Sequence, residues 1–195
     1  MNDQNSPGNH IGFKELSPVC TALAEGKTSL ILRKGGIAEG RDGFHFAHEK
    51  FWLFPTFFHQ ESSSLKEEYR AGLGELPAPD EERQSVVIRS HVEIVKAVTL
   101  TDWNEVTALD PFHPWTEEVV RERFDYKGAG LKVALVRVAN LSEPIEIPYE
   151  KALYGGCRSW VELPDSMAGS VESAEPILSD KEHERRVGEI GAVLG

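Results

Sequence analysis

The chain has 195 residues, 40% hydrophobic and 27% charged, with a formal net charge of −11. That length suits one core of ordinary size, and the composition excludes a disordered polyelectrolyte. There is no apolar run of about 18 residues to span a membrane, and the polar start MNDQNSPGNH carries no secretory signal, so a cytoplasmic location is expected.

Residues 1–10 are polar, contain Pro7 and Gly8, and are expected to be disordered. Phe13, Leu16, Val19, Cys20 and Leu23 follow helical spacing. They predict a helix from Phe13 to Glu25, with Pro18 tolerated near its first turn and Gly26 as its stop. SLILR reads as a short buried strand ending at Arg33, and KGGIAEGRDG, with four glycines, as a loop whose backbone another group can approach closely. FHFAHEKFWLF carries aromatics at Phe44, Phe46, Phe51, Trp52 and Phe54 and suits one or two strands, ended by Pro55. A short helix is expected within 62–71, followed by GLGELPAPDEERQ as a long acidic surface connector.

SVVIRSHVEIVKAVTL is the clearest β segment, with an interruption near Ser90. Asp102 is placed to cap a short helix through Leu109, with Glu105 in the capping-box position. Thr116 is placed to cap a second, whose first turn holds Glu117 and Glu118. LKVALVRVANL, apolar on both faces, reads as a central strand that Pro144 and Pro148 bring to an end. One domain is expected over 11–164, then a loose linker over 165–178 rich in Ser, Glu and Ala. Ser179 and Glu182 form a capping box for a final helix within 179–195. Cys20 and Cys157, the two cysteines, fit neither a disulfide framework nor a zinc motif and are read as reduced, buried thiols.

Candidate chemistry concentrates in residues 33–60, RKGGIAEGRDGFHFAHEKFWLFPTFFHQ. The segment holds His45, His48 and His59, the adjacent cations Arg33 and Lys34, the acids Glu39, Asp42 and Glu49, and Gln60 at its end. Polar groups among aromatics need partners, so these either satisfy one another or await a ligand. His45 and His48 are three apart and diverge on a strand. His48 and His59, with Glu39 or Glu49, match no standard zinc spacing, so no metal or other cofactor is expected. Cys157 in GGCRSW, beside Arg158, offers a thiol nucleophile without a recognisable base. KGGIAEG matches neither the phosphate-loop nor the dinucleotide fingerprint.

The acidic balance argues against broad affinity for phosphate backbones. Residues 1–60, however, carry six basic and six acidic groups, so the whole excess of −11 lies in the remaining 135 residues. A neutral, aromatic-rich segment leaves room for a local basic patch. The preferred function is a non-catalytic module for nucleic acid or a nucleotide-like ligand, with Arg33, Lys34, Glu39, His48, Trp52, His59 and Gln60 as the ligand-binding set. Arg33 and Lys34 would contact phosphate, and Trp52 or another exposed aromatic of the segment would stack on a base. His48, His59 and Gln60 would make polar contacts. The alternatives are a nuclease-like hydrolase using Glu39, His48 and Glu49, with or without a divalent metal, and a structural or adaptor protein. The acidic remainder offers a surface to a protein partner.

LRKGGIAEG, followed by GF, His48 and FWLFPTFFHQ, and later by YGGCRSWVEL, resembles the bacterial family known as domain of unknown function 1802. The first block matches at Arg33, Lys34, Gly35, Gly36, Glu39, Phe44, His48, Phe51, Phe54, Pro55, Thr56, His59 and Gln60. The second matches at Arg137, Tyr154, Gly156, Cys157, Ser159 and Trp160. The resemblance covers Phe13 to Leu163. It implies a place near DNA restriction, because members are sometimes joined to an Mrr-type restriction endonuclease domain; no such domain is visible in this sequence. The order of helix, EGKTSLILR, β segments and VRVANLSEPIEIP is similar to the small PUA-related barrels, such as the ASCH and EVE domains, which bind nucleic acid or modified bases in a groove. The expected fold class is therefore α+β: a curved, mostly antiparallel sheet or a small PUA-like barrel, with several short flanking helices.

Overall fold

The computed structural model describes residues 10–34, 44–57, 62–70, 84–167 and 169–195. Its strands are β1 (Ile11–Leu16), β2 (Leu30–Arg33), β3 (Lys50–Thr56), β4 (Ser85–Leu100), β5 (Leu131–Pro148), β6 (Trp160–Glu162) and β7 (Ala174–Pro176). Its helices are α1 (Ser17–Ala24), α2 (Glu67–Arg70), α3 (Trp103–Ala108), α4 (Glu117–Asp125), α5 (Lys151–Tyr154) and α6 (Asp180–Leu194). The seven strands form one sheet in the order β2-β5-β4-β3-β1-β6, with β7 added to β5. β1 and β3 run parallel, and every other described pairing is antiparallel. The class is α+β, and of the two expected architectures the open, mostly antiparallel sheet is the one observed.

The run FWLF in β3 explains how the core is divided. Successive strand residues point to opposite faces. Phe51 and Leu53 enter one cluster while Trp52 and Phe54 enter another, and all four are buried. The larger cluster is completed by α1, α4 and α6 through Leu23, Phe124 and Ile190. The smaller one contains Val86, Ile88, Ile147 and Met167.

Several expectations are corrected. The helix expected from Phe13 begins only at Ser17, and Ile11–Leu16 is instead strand β1, held between β3 and β6. Pro18 sits in the first turn of α1, where its missing N–H has no intrahelical partner to lose. Pro55 lies inside β3, because the ladder to β4 covers only Lys50–Trp52 and asks no N–H of it. Pro144 does not end β5. The β4–β5 register steps from Asn140 to Ile145, so this proline falls where β5 bows away from β4. Within the stretch read as a linker, Ala174–Pro176 pair with β5. Cys20 is buried as expected, but Cys157 is exposed. The glycine loop over 35–43, Glu39, His59, Gln60 and most of the acidic connector lie outside the described residues, as do residues 1–9.

The helix starts follow the sequence more closely. Asp102 Oδ1 accepts the Asn104 N–H at 2.9 Å and opens α3. Thr116 makes no such cap for α4; its hydroxyl donates to the Ser64 carbonyl at 3.4 Å. α6 opens on the full capping box. Ser179 Oγ accepts the Glu182 N–H and a Glu182 carboxylate oxygen accepts the Ser179 N–H, each at 3.3 Å. Ser179→Ala is expected to lower stability by about 1 kcal/mol. A urea melt reads this directly, and an unchanged midpoint would show that the cap is idle.

Candidate ligand-binding site

Arg33 joins the two ends of the sheet. It closes β2, the first strand in the spatial order, yet its Nη2 donates to Ser159 Oγ at 2.7 Å, immediately before β6, the last. Its Nη1 lies 3.8 Å from Glu15 Oε2 on β1. The guanidinium stands 5.0 Å from the ring centre of Phe13 and 5.4 Å from that of Phe44. The sheet thus curves until its opposite edges meet through side chains, without a hydrogen-bonded ladder between them among the described residues.

Glu15 is 3% exposed, and its Oε1 accepts the Leu16 N–H at 2.8 Å. A second guanidinium, Arg123 of α4, lies 3.7 Å over the Trp115 ring. Burial draws the Arg123 pKa down to about 10; Glu15 opposes that shift and Arg33 adds to it, so the group stays charged at neutral pH. Arg33 pairs with Glu15, and Arg123 lies within electrostatic reach of both, so two cations share the surroundings of one carboxylate in a chain of net charge −11. A guanidinium has five N–H donors. Arg33 is a quarter exposed, with donors left over after Ser159 and Glu15.

An aromatic cluster forms the wall of this spot. Phe13 packs against Trp160 at 4.8 Å between ring centres and against Phe51 at 5.1 Å, and Trp160 lies nearly parallel to Phe44. His48, half-buried, meets Trp160 edge-on at 4.9 Å. The loop that carries Ser159 is anchored by Lys14, whose Nζ donates to the Tyr154 carbonyl at 2.7 Å and the Gly156 carbonyl at 2.8 Å. Gly156 adopts a φ of 81°, and a Cβ on Gly155 would meet the Lys151 carbonyl oxygen at 2.5 Å, so both glycines are dictated by the backbone path.

Of the residues expected to bind a ligand, Arg33 and His48 are brought to the same aromatic cluster. Lys34 is directed elsewhere. Its ammonium donates to the carbonyls of Phe124, at 2.8 Å, Gly130, at 2.6 Å, and Gly128, which occupies all three of its protons and ties β2 to the end of α4. Burial lowers its pKa, with Asp125 acting in the opposite direction. Trp52 is 0% exposed in the smaller core and presents no face to a ligand. Glu39, His59 and Gln60 lie outside the described residues, although Thr56, near the FHQ end, donates to the Glu15 carbonyl at 3.1 Å. Among the described residues, no three His, Cys, Asp or Glu side chains gather as metal ligands. Glu15 and Arg123 are the site residues that the sequence reading missed.

The solved structures similar to this chain include ASCH from Zymomonas mobilis. It is 13% identical, with 84% of this chain and 93% of that chain covered and a TM-score of 0.45. Two single-substitution variants of the same protein give TM-scores of 0.47 and 0.45 at 12% and 13% identity, with 84% of this chain and 94% and 96% of theirs covered. Among curated proteins, none matches the chain. No helix is long and apolar enough to cross a membrane among the described residues. The family model described as Domain of unknown function (DUF1802) matches residues 12–189, and the chain belongs to that family.

Proposed function

We propose that the protein is a binding module for nucleic acid or a nucleotide-like ligand, acting in the cytoplasm beside DNA restriction or nucleic-acid metabolism. The observation that carries this reading is the Arg33–Glu15–Arg123 group: a locally positive spot, walled by aromatics, in an acidic chain. A phosphate takes the outward donors of Arg33, for which the planar guanidinium fork is well matched. Trp160, only partly buried, is the stacking surface in place of Trp52, with His48 at its edge. Glu39, His59 and Gln60, outside the described residues, are proposed from the sequence to supply polar contacts to a base. Lys34 and Trp52 act as supports.

A labelled single-stranded oligonucleotide titrated at about 50 mM salt tests the reading. Arg33→Gln is expected to weaken binding about tenfold or more, the value of one charge-assisted contact, and to reduce the salt slope by about one. Arg33→Lys, which keeps the charge, separates lost binding from lost folding. No binding by the wild type, or equal binding by Arg33→Gln, would overturn the proposal.

A further inference from the structure

A second concavity lies away from the Arg33 spot, between α1 and the strands β3, β4 and β5. Its volume is about 380 Å³, within the range of small-molecule sites. Leu53 and Pro55 of β3 form part of its lining, and Ser17, Thr21 and Ala24 of α1 face them.

The register of β4 determines what else enters. Ile88 pairs with Ile145 and Ser90 with Asn140, so Arg89 falls at a register irregularity, one β4 residue opposite the four of β5 that bow away. Before it, Val86 and Ile88 point into the smaller core while Val87 points the other way. A regular strand would turn Ser90 back toward that core. At this irregularity both Arg89 and Ser90 instead line the concavity, and Val92 beyond it lies in the larger core.

The polar groups of this concavity divide into two kinds. Ser90 Oγ donates to Asn140 Oδ1 at 2.7 Å, and Asn140 Nδ2 donates to the Ala24 carbonyl at 2.8 Å, which fixes the floor and the end of α1. Arg89 has neither a hydrogen bond nor an ion pair among the described residues. Glu25, the acid lining the concavity, is paired with Lys27 at 2.7 Å. Arg89 is thus an exposed cation with no ion-pair partner among the described residues, next to the apolar surface of Val87, which is 47% exposed, and of Leu53 and Pro55.

We infer that this concavity is a second ligand site, for a small organic oxyanion whose phosphate or carboxylate pairs with Arg89 and whose compact apolar body lies between α1 and β3. It rests on the register irregularity and the cavity, not on the Arg33 site.

Phenyl phosphate and phenylacetate serve as probes, with inorganic phosphate as the anion lacking an apolar body. Each is titrated into the full chain and followed by amide chemical shifts. At least one aryl probe is expected to perturb residues of α1 and the β4 irregularity, and to bind roughly tenfold more tightly than inorganic phosphate. Which aryl probe binds tells phosphate from carboxylate. Arg89→Gln is expected to reduce that affinity at least about tenfold. Thr21→Trp, at an exposed position, should block the cavity without touching Arg89. Binding that persists in Arg89→Gln or Thr21→Trp, or is absent for both aryl probes, would overturn the inference.

Discussion

Acidification from pH 7 to pH 4 is expected to remove roughly 6 kcal/mol of folding stability through two side chains, His91 and His113. Both are buried, at 7% and 1% exposure. Neither His91 Nε2 nor His113 Nδ1 has a hydrogen-bond partner among the described residues. Burial is the main cause of depression in each case, and it takes both pKa values from 6.5 to about 4. Nearby cations add to it, Lys50 for His91 and Lys66 for His113; Glu93 and Asp110 work against it.

The sign follows from proton counts. Between pH 6.5 and about 4 the unfolded chain holds protons on these rings that the folded chain does not. Stability is therefore complete above pH 6.5 and falls as pH drops through that window, by about 3 kcal/mol per ring. Against a total of roughly 5–15 kcal/mol for an ordinary domain, this is enough to threaten the fold. Urea melts at the two pH values give the loss. His91→Leu and His113→Leu should each reduce it by about half. Carbon-resolved ring spectra give the direct check: either ring titrating near pH 6.5 in the folded protein would refute the expectation.

The sequence was most legible where local chemistry and tertiary demand agree. Alternating Val and Ile marked β4; the interruption expected near Ser90 is a register irregularity against β5 within a strand that runs unbroken from Ser85 to Leu100. Ser179 and Glu182 marked the start of α6. β1 was hidden for a physical reason. Phe13 and Glu15 occupy its buried positions, so a carboxylate stands where hydropathy expects an apolar side chain. Once Glu15 masks the period of two, Phe13 and Leu16 fall into helical spacing with Val19 and Leu23. The charge that conceals the strand is the same one that holds Arg33.

Other site features depended on contacts that spacing does not encode. Arg33 closes β2 and Lys34 follows it directly, yet one reaches the aromatic cluster and the other the carbonyls at the end of α4. The unbroken apolar run FWLF was itself a sign that both faces of β3 are covered, which leaves Trp52 without a free face. Arg123 lies in RERF beside Arg121, and nothing local separates the two. The fold places Arg123 over Trp115 near Glu15, while Arg121 pairs with exposed Asp125 at 2.6 Å.

Replacing Glu15 tests how those parts cooperate. Glu15→Gln keeps the size of the side chain and an oxygen for the Leu16 N–H, and removes only the charge. Arg33 and Arg123 then lie within electrostatic reach of each other without that counter-charge. Removing one partner of a buried ion pair typically costs about 3–5 kcal/mol; because Arg33 is a quarter exposed, the lower end, about 3 kcal/mol, is expected here. Two further outcomes separate an electrostatic effect from a packing defect. The double variant Glu15→Gln with Arg33→Gln should be less destabilised than the sum of the two single variants, because the second change removes the repulsion created by the first. Sulfate should raise the melting temperature of Glu15→Gln more than that of the wild type, since an oxyanion replaces the missing carboxylate. Additive single effects and equal sulfate responses in urea and thermal melts would mean that the two guanidinium groups do not share Glu15, and the anion site would lose its electrostatic basis.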